Sequence, residues 1–450
     1  MPQISDSLIF FSRTQVLEHN KKDDCWIIIR NNVFDLTDFI SEHPGGSEIL
    51  LARAGEDATS YFITKHGKNP GILRQLEKYK IGEVRQEEKI TADDFSEPFL
   101  MELIDKCYAA KLYRQAVWYR NSIFWARALG VVSFFGLSFS ALYLDFPWWL
   151  AIVCVGLQAI VSTSLFGLIA HESTHRDFPS HPVFKFLLRI CWPVFWPFIS
   201  QGPLKYEHNS HHLKIGDPEY DYEVAAFAPL VRYSGQVAFS FFHRYQHLMA
   251  RYLYPFYANF ITTVGGVFSG FWKRHKRLVK LEHAFSLVIA MSYYIVIPSM
   301  IYSSFWWFLT LYLVFQCVLF YGIYVGAAIN HFVPGVTQPI PVEHSNHYGY
   351  YNCHNTTNFC TDNKFWYWYT GGFNIQIEHH LIPFIPVENL PQMIPIVKKL
   401  CSKYGYPYHN YHTFKQLWDD HYSYLKLLSK NEEDQAIQTE MSNKAGYQAR

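Results

Sequence analysis

Histidine is the residue through which this chain could do chemistry. Of its 22 histidines, seven fall into three short sets with regular spacing. His171-Glu172-Ser173-Thr174-His175 holds a pair at i, i+4. His208-Asn209-Ser210-His211-His212 holds three at i, i+3 and i+4. Gln376-Ile377-Glu378-His379-His380 repeats that spacing with Gln in the first place. On a helix these separations stack side chains on one face, so each set can present a row of imidazoles. Imidazole suits Fe, Zn and Cu. Seven clustered ligands are too many for one ion, so a two-metal site is the economical expectation. A lone His is usually structural or exposed, but three such sets beside apolar runs are not accounted for in that way. The first set also has the His-Glu-x-x-His spacing of zinc proteases, with Glu172 as the would-be base. That reading leaves the other two sets without a role.

A second constellation lies near the start. His43-Pro44-Gly45-Gly46 follows Phe34-Asp35-Leu36-Thr37-Asp38-Phe39, and His66 comes 23 residues later, behind Gly55-Glu56-Asp57-Ala58-Thr59. Two imidazoles approaching from opposite faces can hold a haem iron. Pro-Gly-Gly permits a tight turn beside the ring. The alternative is a surface turn and an unrelated His.

The elements that must position these residues divide the chain. Residues 1–100 carry 12 Lys/Arg against 17 Asp/Glu, and the remainder 27 against 21. Across the whole chain 17% of residues are charged, 50% hydrophobic and 18% aromatic. That balance argues against a disordered chain and against an ordinary soluble enzyme. A net charge of +1 argues against a nucleic-acid-binding protein. An acidic soluble module joined to an apolar membrane module is expected. The eight cysteines (25, 107, 154, 191, 317, 353, 360 and 401) form no framework, so reduced thiols and a cytosol-facing site are expected. No secretory signal is read in residues 1–24. Cys353 and Cys360 do not make a zinc motif.

The first module reads as mixed α and β. Cys25–Ile29 and Val33–Leu36 look like strands, Gly46–Ala54 and Ala58–Lys65 like helices, and Arg85–Glu97 like a charged linker. Charge-free runs then predict membrane spans at Ala128–Leu144, Trp148–Ala170, Ala284–Tyr302 and Phe305–Asn330, paired as two hairpins. Val183–Leu204 and Tyr252–Trp272 are expected to lie in the interface. Lys273-Arg274-His275-Lys276-Arg277 marks a cytoplasmic segment. All ligands must meet on one side of the membrane, and two hairpins with no further span satisfy this.

Residues 8–84 resemble cytochrome b5, which implies haem b ligated by His43 and His66 and one-electron transfer. Residues 120–425 resemble the membrane fatty acid desaturases: the three sets occur in that family's order, with Gln376 replacing a His. Further matches are Gly216-Asp217-Pro218-Glu219-Tyr220-Asp221, Gln246-His247 and Gly371-Gly372-Phe373-Asn374. Together they look like a cytochrome b5-fused front-end desaturase. The resemblance implies a di-iron centre held by His171, His175, His208, His211, His212, His379 and His380, with His331 as an eighth histidine ligand. Gln376 would bind iron, hold a water or shape the substrate site. His344, His347 and His354 lack box spacing and are read as loop residues or as neighbours of the ligands. The expected layout is a haem domain at 8–84, a linker and amphipathic segment at 85–121, an all-α integral membrane domain at 122–425 with about four spans, and a polar tail at 426–450.

An aliphatic C–H bond has no useful acidity, so acid–base groups alone cannot break it. The resemblance implies instead that O2, two irons and electrons passed through the haem remove two hydrogens from an acyl chain. NADH-cytochrome b5 reductase is the expected donor, the bilayer of the endoplasmic reticulum the expected location, and a polyunsaturated acyl chain (on CoA or phospholipid) the expected substrate. Front-end members act at position 5, 6 or 8, and 5 or 6 is favoured. A sphingoid-base desaturase, a haem-fused acyl hydroxylase and a non-enzymatic haem scaffold are the competing readings.

Overall fold

β-branched and aromatic residues fill the two apolar runs of the first module, and both become strands. The computed structural model describes residues 9–43, 47–66, 70–89, 97–114, 116–144, 146–175, 182–196, 200–218, 221–252, 277–301, 304–336 and 347–430. Its first domain holds β1 (Phe10–Phe11), β2 (Asn20–Lys21), β3 (Asp24–Ile29), β4 (Asn32–Asp35) and β5 (Lys80–Val84). The sheet order is β1-β5-β4-β3-β2; β1 runs parallel to β5 and the other pairs are antiparallel. Arg30 and Asn31, at φ 52° and 63°, make the two-residue turn between β3 and β4. Helices α1 (Arg13–Glu18), α2 (Ser47–Leu51), α3 (Thr59–His66) and α4 (Pro70–Leu76) complete the domain. Ile27, Ile29, Phe34, Leu36 and Ala58 form its core on one face of the sheet.

The second domain is mostly helical. It contains α5 (Pro98–Ala109), α6 (Val117–Tyr143), α7 (Trp148–Leu165), α8 (Pro182–Phe195), α9 (Gln201–Leu213), α10 (Tyr222–Phe227) and α11 (Gln246–Tyr252). Then come α12 (Arg277–Met291), α13 (Phe305–Ala327), α14 (Tyr348–His354), α15 (Lys364–Thr370), α16 (Gln376–Leu381), α17 (Leu390–Tyr404) and α18 (Phe414–Leu428). A π-helical turn at Phe166–His171 extends α7 to His175, and another at Ser292–Val296 extends α12 to Ile301. Helix α7 packs between α6 and α13. The absence of a side chain at Gly322 permits this, because a Cβ there would lie 2.6 Å from Thr163 Cγ2.

Two of the four expected spans are long and apolar enough to cross a bilayer, within Trp148–His175 and Phe305–Gly326. The other two stretches are helical, but they lie in helices that begin with charged residues: Arg120 and Arg127 in α6, and Arg277, Lys280 and Glu282 in α12. The fourteen residues of α8 reach about 21 Å at 1.5 Å each, too short to cross alone. The all-α expectation for this domain is corrected by a short parallel pair, β6 (Thr357–Phe359) with β7 (His409–Tyr411). Helix α5, expected within the linker, buries Phe99, Leu100 and Leu103 against the helical core and packs on α17. Most of Tyr252–Trp272, the basic segment before Arg277, the turn Pro44-Gly45-Gly46, His344 and the residues after Lys430 lie outside the described residues.

Candidate functional site

The three sets are placed by three different elements. His171 closes the π-helical turn of α7, and His175 ends that helix. His208, His211 and His212 lie in the last turns of α9. Gln376, His379 and His380 lie on α16. His331 follows α13 in a turn held by its own N–H to Ala328 O.

These residues meet in two groups. His171, His175, His208, His212 and His379 have ligand nitrogens within 4.8 Å of one another, as do His211, His331 and His380. His212 Nε2 lies 2.9 Å from His208 Nε2 and 3.1 Å from His379 Nε2. The groups adjoin, because the rings of His212 and His380 stack at 4.0 Å.

The donor set fits metal on its own chemistry. His171 Nε2, both nitrogens of His175, His212 Nδ1 and His380 Nδ1 are buried without a hydrogen-bond partner. Each such orphan costs about 1–3 kcal/mol if nothing binds it. Burial favours the neutral imidazole, which is the ligating form.

Neighbouring groups fix the rings from behind. His211 Nδ1 meets Asp221 Oδ2 at 2.9 Å, and His331 Nδ1 donates to Asn355 O at 2.9 Å. Both leave Nε2 to face the group, as carboxylate and carbonyl partners do at metal centres. Burial acts to raise the Asp221 carboxyl, but the His211 imidazole and the Gly216 N–H hold it below its ordinary value. Glu378 accepts from Asn358 Nδ2 and from Tyr408 OH, each at 2.7 Å, which ties α16 to β6 and to the chain before β7. Sequence reasoning assigned no role to Asp221, Asn355, Glu378 or Tyr408. Asp221 alone carried a signal, in the segment after the second set.

Gln376 is buried; its amide donates to Gly326 O at 3.1 Å and its Oε1 has no hydrogen-bond partner. His347 and His354 stand outside both groups, and His347 Nδ1 lies 3.4 Å from Tyr406 OH.

The second constellation is also assembled. His43 and His66 face each other with ring centroids 6.3 Å apart and planes at 86°. They line a cavity of about 400 Å³ with Leu36, Phe39, Leu50, Phe62, Leu76 and Tyr79. Burial, helped by His43 and Lys65, lowers the His66 imidazole to about 4, so it is neutral at physiological pH. Two imidazoles on facing walls of an apolar cavity fit a planar metal macrocycle between them.

The cavity does not end at the first domain. Thr174, His175, Lys205, Asn209, Leu213 and Phe384 close its far side. His175 therefore belongs both to this wall and to the five-histidine group. Arg53 Nη2 donates to Leu213 O at 3.1 Å across the boundary, with its guanidinium over the Tyr61 ring. Tyr61 in turn packs edge-on against Tyr348, 4.8 Å between centroids.

Comparison with known proteins agrees with this geometry. The cytochrome b5-like haem/steroid binding domain matches residues 12–85, and the fatty acid desaturase model matches residues 146–412. The chain is 24% identical to acyl-lipid (8-3)-desaturase B of Dictyostelium discoideum over 458 residues, covering 95% of this chain and 96% of the relative. It is likewise 24% identical to Delta(5) fatty acid desaturase A of the same organism, covering 94% of each. Cytochrome b5 of Musca domestica is 42% identical over 94 residues, 21% of this chain and 69% of that protein. The chain thus belongs to the fatty acid desaturase family and carries a cytochrome b5-like haem domain ahead of its histidine-rich centre.

Proposed function

We propose that this chain is a front-end desaturase that introduces a cis double bond into a polyunsaturated fatty acyl chain, at position 5 or 6. The observation that carries this reading is the convergence of eight imidazoles from four chain segments into two adjoining groups. One iron is assigned to His171, His175, His208, His212 and His379, and the other to His211, His331 and His380. Gln376 adjoins them on α16 and binds iron, holds a water or shapes the substrate site. His43 and His66 hold the haem. The relative named as a Delta(5) desaturase favours position 5 over 6.

When bound, the haem supplies electrons singly, and the paired irons with O2 supply the oxidising power that removes two hydrogens from adjacent methylenes. The chain's own residues hold and orient. Asp221 and Asn355 keep the protons of His211 and His331 on Nδ1. Burial of the histidines keeps water from the oxidising centre. Phe373, Ile385, Val387 and Leu390 are apolar neighbours of His171 and His379 around a gap of about 10 Å³, which must widen to admit a hydrocarbon.

The membrane arrangement follows from the same reading. Four spans in two hairpins place both centres on the cytosolic face of the endoplasmic reticulum. Exposed Leu129, Val132 and Leu137 on α6, and Leu281, Phe285 and Val288 on α12, support lipid contact for the two less apolar helices. Exposed Trp148, Trp149, Phe305 and Trp306 form an aromatic girdle at the starts of α7 and α13. NADH-cytochrome b5 reductase is the assigned donor, and the carrier is CoA or phospholipid.

Expression in yeast with single fed fatty acids tests the function. New double bonds in 18- or 20-carbon polyunsaturates, located by mass spectrometry, are expected at position 5 or 6. Hydroxylated lipids without new double bonds would replace the desaturase with a hydroxylase. His208→Ala is expected to stop product formation while leaving the haem absorption intact.

A further inference from the structure

We propose that Lys65 and Lys205 form a carboxylate-binding edge to the haem cavity, one cation from each domain, so that bound haem clips the domains together. The proposal rests on the assignment of haem to the His43–His66 cavity. Lys65 precedes His66 on α3, yet its Nζ is buried and has no hydrogen-bond partner. It stands over the Phe384 ring of the second domain, 5.6 Å from its centre. Lys65 lines the same cavity as His175, a member of the five-histidine group, so it stands where the two centres adjoin.

A buried ammonium keeps its charge only beside an anion. No Asp or Glu lines this cavity among the described residues. The third cation of the wall, Arg53, is engaged by Glu56, Tyr61 and Leu213 O. Lys205 stands on the cavity's second-domain wall, exposed, on the helix that carries His208. Haem b carries two carboxylates on one edge of its ring. Turned toward the second domain, that edge meets both lysines and supplies the missing anion. The consequence is a coupling: haem loading strengthens the docking of the first domain on the second.

The test uses the full chain, produced in a haem-limited host and reconstituted with haem b or with its dimethyl ester, which lacks both charges. Release to apomyoglobin and the haem midpoint potential are measured. Lys65→Met is expected to release haem b about tenfold faster than the parent, in line with loss of a charge-assisted hydrogen bond. It is also expected to lower the midpoint potential, since a cation near the ring favours the reduced form less once removed. Lys65→Arg should restore retention, and Lys205→Met should weaken it in the same direction. With the dimethyl ester, parent and variants should release alike. Equal release of haem b by parent and Lys65→Met, or a tenfold ratio that persists with the ester, would overturn the proposal. An intact bis-imidazole spectrum in those samples would confine the failure to the lysines. A parent without that spectrum would remove the haem assignment and this proposal with it. If Lys65→Met does not fold, the Lys205→Met comparison across the two haems decides alone.

Discussion

Asp221 shows what the residue scale adds to the histidine sets. Spacing alone made the sets legible, because i, i+3 and i+4 separations have one geometric meaning on a helix. It could not show what stands behind each ring, since those partners come from other segments. His211 is backed by Asp221, ten residues on, and His331 by the carbonyl of Asn355. The partner decides which nitrogen turns toward the metal group, so Asp221 should matter although it is not itself assigned to an iron. Asp221→Asn keeps the size and a hydrogen bond but loses the charge that stabilises the His211 proton. Iron affinity is expected to fall about 10–100-fold. Iron stoichiometry under graded chelator checks this, with haem content unchanged. Full iron retention would show that the Asp221 contact only packs the loop. At the other centre, His43→Ala should abolish the haem absorption, read directly in the visible spectrum, while leaving non-haem iron bound.

At the scale of elements, apolar alternation and charge-free runs gave the strands and long helices nearly where they stand. Local departures were hidden. The π-helical turn at Phe166–His171 carries no composition signal, yet it sets the direction of His171. It is matched by Gly167, where a Cβ would collide with Thr370 O and the Gly371 backbone. That close approach brings the loop before α16 onto α7. Gly167→Val should therefore push two ligand-bearing elements apart and lower iron content and melting temperature together, which iron assay and thermal unfolding in detergent would reveal. Helix α5 hides a second device. Glu97, at the end of the expected linker, accepts the Gly349 and Tyr350 N–H groups at the start of α14 at 2.9 and 3.0 Å. Burial pushes its carboxyl up to about 7 from 4.5, against those donors. The folded chain thus holds this proton more tightly than the unfolded chain. The contribution is full below about 4.5 and is lost as pH rises through about 7, a change of about 3 kcal/mol by linkage. Glu97→Gln removes the titration. Its melting temperature should fall less than the parent's between pH 5 and pH 8, and parallel slopes would refute the assignment.

At the scale of the whole molecule, the sequence identified two centres but could not show that they share a wall. That relation depends on contacts between residues far apart in the chain, such as Arg53 with Leu213 and Tyr61 with Tyr348. His175 lines the haem cavity and belongs to the five-histidine group, so no intervening domain separates donor from acceptor. Docking of this kind makes electron delivery an internal event. After reduction of the haem, its reoxidation in the presence of O2 and acyl substrate should be first order and unchanged on tenfold dilution of the enzyme. Arg53 is the group to remove, because its guanidinium bridges Tyr61 and the Leu213 carbonyl. Arg53→Ala loses that clasp while leaving His43 and His66 in place. Haem reduction by the reductase should proceed at the parent rate, while reoxidation slows but stays first order, because the two domains share one chain. Stopped-flow absorbance at the haem band separates the two phases. Slowing of reduction alone would locate Arg53 on the reductase-facing surface instead, and unchanged phases would mean that the boundary contact does not govern transfer.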